Sequence, residues 1–177
     1  TRPGWYACAC CPPNVARLIS AYGQFAYGES DTTAYCHLIA AGEASFRNGL
    51  KLRCETGYPY GFTVTYRIEK GGRLAVRLPG WSNTTAITLN GEAIALDPAD
   101  GYQHLTVADG DVVVMTLDDG VRTVYASQKV PQLTGKVALG RGPLVYCFEG
   151  VDNNGDVLSL ALRRGGSITP SAFRADL

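Results

Sequence analysis

Between Leu50 and Phe148 the chain never runs far before something tells it to turn. Short apolar or alternating stretches recur at Leu50–Glu55, Phe62–Ile68, Leu74–Leu78, Ala86–Leu89, Ala93–Leu96, Gln103–Val107, Val112–Leu117, Val121–Tyr125, Val137–Leu139 and Leu144–Phe148, with one more at Val157–Leu162. Residues 63–67, Thr-Val-Thr-Tyr-Arg, alternate with period two, as a half-buried strand does. Asn90-Gly91 between apolar residues is the strongest short hairpin signal, and Asp109-Gly110 offers a second turn. Such spacing, punctuated by 21 glycines, predicts an antiparallel β-sandwich. No helical pattern alternates with these strands, so a parallel βαβ fold is not expected, and no repeat of fixed period is visible.

One segment breaks the rule. Pro12 and Pro13 suit a first helical turn, where a missing N–H costs nothing. Val15, Leu18, Ile19, Tyr22 and Phe25 then recur at helical spacing, and Gly28 is placed to stop the run. This predicts a helix over about Pro12–Tyr27, the only long one. Near Gln128–Gly135 the strand pattern lapses, which marks a boundary, and from Gly165 periodicity is weak. At 177 residues, 46% hydrophobic and 18% charged, the chain can bury a core as one generous domain or two small ones. Sixteen basic residues balance sixteen acidic ones with no basic cluster, so nucleic acid and an anionic membrane surface are not expected partners. No apolar run approaches the roughly 20 residues of a membrane span.

Three of the six cysteines, Cys8, Cys10 and Cys11, fall within four positions directly before the helix. The start of a helix has unsatisfied N–H groups and the positive end of the dipole, so it favours an anion. The thiolate is both the nucleophile and the metal-binding form of cysteine. Inert packing, a disulfide, and metal binding or catalysis all remain open for this cluster. Structural zinc sites normally show two separated ligand pairs, and here there is one cluster. Cys36, Cys54 and Cys147 lie in or near strand patterns and read as small core hydrophobes. His37 and His104, the only histidines, sit in strand-like surroundings and read as surface or packing residues. Tyr58, Tyr60 and Trp81 could stack on sugar rings, although core or corner packing is the more ordinary role. The scattered thiols point to a reducing compartment or a metal site, and with no signal peptide visible in this stretch a cytoplasmic location is the expectation. There is no phosphate-binding glycine loop, nucleophile elbow, HExxH or EF-hand pattern.

Four stretches, Cys8–Ser20 (CACCPPNVARLIS), Glu55–Ile68 (ETGYPYGFTVTYRI), Arg77–Ser82 (RLPGWS) and Gly135–Asn153 (GKVALGRGPLVYCFEGVDN), resemble the bacterial β-L-arabinofuranosidases of glycoside hydrolase family 127 and occur in that family's order. The resemblance implies a mainly β fold. One or more antiparallel β-sandwiches would follow a helix that ends an (α/α)6 barrel in the intact enzyme. It implies the tail of the barrel at residues 1–28, a sandwich at 29–130, and part of a second sandwich or its continuation at 131–177. It further implies that Cys10 is the catalytic nucleophile, that Cys10 and Cys11 bind zinc, and that Cys8 has no assigned role. The remaining zinc ligands and the general acid/base would lie upstream. The chain is therefore expected to be the trailing piece of a longer enzyme, inactive alone, whose substrate is an arabinofuranoside or other glycoside. A homo-oligomer through the apolar stripe of the helix is a further expected partner. The rival reading is a non-catalytic sandwich that binds carbohydrate or a protein.

Overall fold

The structure, a computed structural model, describes residues 10–163 and 165–171. A single α-helix, α1 (Cys11–Ala26), opens it, with the prolines in its first turn, and passes straight into strand β1 (Tyr27–Glu29). The predicted helix and the observed one differ by a residue at each end. Twelve further strands follow: β2 (Thr33–Cys36), β3 (Gly42–Ser45), β4 (Lys51–Thr56), β5 (Thr63–Lys70), β6 (Gly72–Arg77), β7 (Ala86–Leu89), β8 (Glu92–Ile94), β9 (Tyr102–Val107), β10 (Val112–Thr116), β11 (Val121–Tyr125), β12 (Val137–Arg141) and β13 (Leu144–Tyr146). The mainly β fold with one helix is as expected. Among the described residues no helix is long and apolar enough to cross a membrane.

Two sheets face each other. Sheet A has the order β1-β2-β6-β9, and sheet B the order β3-β4-β5-β10-β7-β8. Period two sorts their residues. Leu52 and Cys54 on β4, Val64, Tyr66 and Ile68 on β5, and Val113 and Met115 on β10 point inward, against Ala34, Cys36, Leu74 and Val76 of sheet A. These side chains are at most 3% exposed, and each large one contributes roughly 1.5–3 kcal/mol by leaving water.

The turns behave as their residues dictate. Asn90 and Gly91 both take positive φ (52° and 86°), the geometry of a type I′ turn, and join β7 to β8 as a hairpin. Asp109-Gly110 also turns, but it carries the chain from β9 in sheet A to β10 in sheet B. There Asp109 accepts a bond from the Gly71 N–H (2.6 Å) and Asp111 one from the Ala108 N–H (2.7 Å). Gly71 is the matching crossing between β5 and β6.

Three expectations need correcting. One ladder, β2 with β6, is parallel, with Thr33 opposite Arg73 and Cys36 opposite Val76, although every other strand pair among the described residues is antiparallel. The chain leaves sheet A after β2, builds β3, β4 and β5 in sheet B and returns as β6. Strand signals cannot reveal that crossover. Residues 157–162 form no strand. The change of sheet falls near residues 117–121 and not at 128–135, because β11 pairs with β12 and β12 with β13 in a separate three-stranded sheet. This third sheet meets the sandwich at Phe62, whose ring lies 4.6 Å from the Arg141 guanidinium and against Gly142. A short 3₁₀ turn, Pro131–Leu133, fills the pattern break.

Candidate functional site: a thiol pair at the free end of a helix

Helix α1 is anchored to the sandwich at its C-terminal end. At its C-terminus Ala26 is buried, the Ala26 carbonyl accepts bonds from the N–H groups of His37 (2.8 Å) and Leu38 (3.2 Å), and Tyr27 enters the core against Phe46. Sixteen residues at 1.5 Å each make α1 about 24 Å long, and towards its far, N-terminal end residues 10–20 are all exposed. The predicted apolar stripe is present and uncovered: Val15, Leu18, Ile19, Tyr22 and Phe25 are 42–72% exposed.

Cys10 and Cys11 occupy that far end. Cys10 is the N-cap residue, with helical backbone angles and no side-chain cap bond; both thiols are exposed, and their Sγ atoms lie 3.5 Å apart. This is too far for a disulfide, whose sulfurs sit about 2.05 Å apart. It is close to the roughly 3.8 Å between two sulfurs that share a tetrahedral zinc at 2.3 Å each. The donor set therefore fits two of the four corners of such a site. Among the described residues no group of three or more His, Cys, Asp or Glu side chains gathers that could complete it. Cys8 lies outside the described residues.

Two neighbours that the sequence reading passed over steady the pair. Asn14 donates through Nδ2 to the Cys10 carbonyl (2.7 Å), and Arg17 donates through Nη1 to Asn14 Oδ1 (2.7 Å). The signal was there to read: an amide four residues past the cysteine and a guanidinium three further on share one helical face. Pro12 and Pro13 have no N–H, so this N-terminus offers an anion fewer donors than most helices do.

The other thiols divide. Cys36 and Cys54 are core residues as expected, and burial pushes their thiols up, to about 12 for Cys36 and about 11 for Cys54. Cys147, expected in the core, is exposed beside Tyr146 and Phe148, because β13 ends at Tyr146 and nothing in the described residues covers it. Trp81 packs edge-on to Phe62 (6.2 Å between centroids), so it is corner packing and not a sugar platform. Both histidines lie on the outer side of sheet A, where His37 Nδ1 is 2.8 Å from the Tyr102 hydroxyl.

Comparison with known proteins bears on this arrangement. Residues 33–119 match the "Beta-L-arabinofuranosidase, GH127 middle domain" model, and residues 121–173 match that of the "Glycoside hydrolase family 127 C-terminal domain". The division between them falls where β11 leaves the sandwich. The non-reducing end β-L-arabinofuranosidase of Bifidobacterium longum subsp. longum is 37% identical over 99% of this chain, an alignment that takes in α1. A crystal structure of a GH127 β-L-arabinofuranosidase from Geobacillus stearothermophilus T6 superimposes with a TM-score of 0.78 at 35% identity over 90% of this chain. A second solved GH127 β-arabinofuranosidase gives 0.77 at 30% identity over 86%. The chain spans 29% of the Bifidobacterium protein and 27–28% of the two solved chains.

Proposed function

Because this chain belongs to glycoside hydrolase family 127, as part of that family's C-terminal portion, we propose that it carries the nucleophile of a retaining β-L-arabinofuranosidase-like enzyme. Cys10 is that nucleophile, and Cys10 and Cys11 are two ligands of a zinc ion. The observation that carries this reading is the thiol pair itself: two exposed sulfurs 3.5 Å apart at the open end of a helix whose other end is fused to the sandwich.

The chemistry follows the retaining scheme with sulfur in place of a carboxylate. The Cys10 thiolate attacks the anomeric carbon. The C–S bond forms as the glycosidic C–O bond breaks, and the departing oxygen takes a proton from an acid supplied by another part of the enzyme. Water, deprotonated by that same group, then displaces the sulfur, giving the free sugar and regenerating the thiolate. Zinc, when bound, would keep both sulfurs deprotonated and fix their directions. The chain's own residues do the positioning. Asn14 and Arg17 hold the Cys10 carbonyl in the first turn. The β1–β2 pairing and the two bonds to the Ala26 carbonyl fix the far end of the helix. The stripe from Val15 to Phe25 needs a cover, which the remainder of the intact enzyme would supply.

In the full-length enzyme, Cys10→Ser should lower turnover by several orders of magnitude, whereas Cys11→Ser should release zinc, read by elemental analysis. Mass spectrometry with a slow substrate should place the sugar adduct on Cys10. A Cys10→Ser enzyme that keeps most of its rate removes Cys10 from the role. The isolated 177-residue chain should show no turnover, since acid/base catalysis alone contributes about 10²–10⁴-fold. The rival sugar-binding module has less behind it, because Tyr58 and Trp81 pack against the core and of the three rings Tyr60 alone is exposed, at 45%.

A further inference from the structure

The outer faces of the two sheets are built differently. Sheet B neutralises itself: Arg53 pairs with Glu43 across β3 and β4, and Arg67 with Glu55 across β4 and β5. That is an ordinary solvated face. On sheet A the outward positions fall into three rows across β2, β6 and β9. Thr33, Arg73 and Thr106 form one row, and Tyr35, Ala75 and His104 the next. In the third, His37, just past the end of β2, joins Arg77 and Tyr102. Both histidines of the chain and two arginines stand here with no carboxylate among the nine positions. Neither Arg73 nor Arg77 has a carboxylate partner among the described residues.

The face has a shape as well as a charge. Tyr35 sits against His37, Tyr102 and His104, with ring centroids 5.6–6.1 Å apart, and these rings wall one side. Beside them Thr33, Arg73, His104, Leu105 and Thr106 line an open cleft of about 480 Å³, within the range of small-ligand sites. An unpaired guanidinium presents a fork that matches a carboxylate. The hydroxyl of Thr106 flanks it on one neighbouring strand and that of Thr33, 8% exposed and 3.4 Å from the Thr32 hydroxyl, on the other; both groups can donate and accept, as sugar hydroxyls require.

We propose that this cleft binds a carboxylate-bearing saccharide, with its acid group on Arg73 and His104 and its hydroxyls on Thr33 and Thr106. The preference for an anion rests on the face alone; the choice of a saccharide rests on the glycosidase reading of the parent. Its lining residues are separate from Cys10 and Cys11, and it takes no part in the chemistry at Cys10. It would hold an acidic stretch of polysaccharide near the enzyme.

Nuclear magnetic resonance titration of the 177-residue chain tests this without reference to turnover, so its outcome is separate from the fate of the nucleophile assignment. Tri-galacturonate should shift the amides of Thr33, Arg73, His104 and Thr106, a neutral trisaccharide should not, and added salt should weaken the effect. Arg73→Gln, an exposed substitution, should weaken binding about tenfold, the worth of one charge-assisted bond. The proposal is overturned by no shift on this face at about 10 mM ligand, well above a millimolar Kd, or by unchanged affinity in Arg73→Gln. Equal binding of inorganic phosphate would make it a simple anion site, and tighter binding of an oligoglutamate peptide would make it a protein interface; either result also overturns it.

Discussion

Alkylation of the native chain with a small maleimide, followed site by site by mass spectrometry, separates the thiols by reactivity. The structure predicts two classes. Cys10, Cys11 and Cys147 are exposed, while Cys36 and Cys54 are each 2% exposed. Access is one factor and ionisation the other. Burial raises the Cys36 thiol from 9.0 to about 12 and the Cys54 thiol to about 11. At pH 8 a thiol at the ordinary value is roughly one-tenth thiolate, whereas one near 12 is about 10⁻⁴ thiolate, a difference of about a thousandfold for Cys36 and a hundredfold for Cys54. Steric exclusion multiplies these ratios. Folding should therefore slow labelling of Cys54 at least about a hundredfold and of Cys36 at least about a thousandfold relative to the same thiols in denaturant, and exposed Cys147 should label ahead of both. If Cys36 in the folded chain labels within about tenfold of its rate in denaturant, the facing of β2 against β4 is wrong and so is the burial assigned here. Protection of Cys10 and Cys11 on adding zinc to the full-length enzyme, with Cys147 still reactive, would mark the ligand pair directly.

A Cβ at Gly71 would sit 2.4 Å from the Val107 carbonyl and 2.7 Å from the Ala108 Cα, both backbone. Gly71→Ala should thus cost about 1–3 kcal/mol or more in urea unfolding, while Gly23→Ala, with open space around it and a helical backbone, should stabilise by about 0.5–1 kcal/mol. Stability should fall in alkali: Cys36, Cys54, Tyr27 and Tyr66 keep protons in the fold that the unfolded chain gives up, so their contribution is whole below about pH 9 and fades towards about 12. Melting temperatures across pH 8–11 check the sign, and a rise would refute it. Ile19→Asp should change the stability of this chain by no more than about 0.5 kcal/mol, since Ile19 is 72% exposed. In the full-length enzyme it should cost about 2–5 kcal/mol if the stripe is covered there.

What the sequence determined by itself is what local physics determines. The prolines and the 3.6-residue stripe were enough for α1, although Gly28 does not stop it: the helix ends where Tyr27 turns extended and Gly28 lies inside β1. Alternation at Val64, Tyr66 and Ile68 was enough for a strand with a buried face, and Asn90-Gly91 for a hairpin. Strands β1, β2 and β3 escaped, being three or four residues long and rich in glycine and alanine, too short to show a period. The motif around Cys10 and Cys11 was legible because its residues are consecutive. Tertiary structure decided the rest: the parallel pairing of β2 with β6, the placing of β11 with the third sheet, the exposure of Cys147, and the meeting of His37 with Tyr102 across 65 residues. Each depends on which segments the crossovers bring side by side. That is settled by the burial of one sheet against the other, a property of the whole chain that no short window of sequence contains.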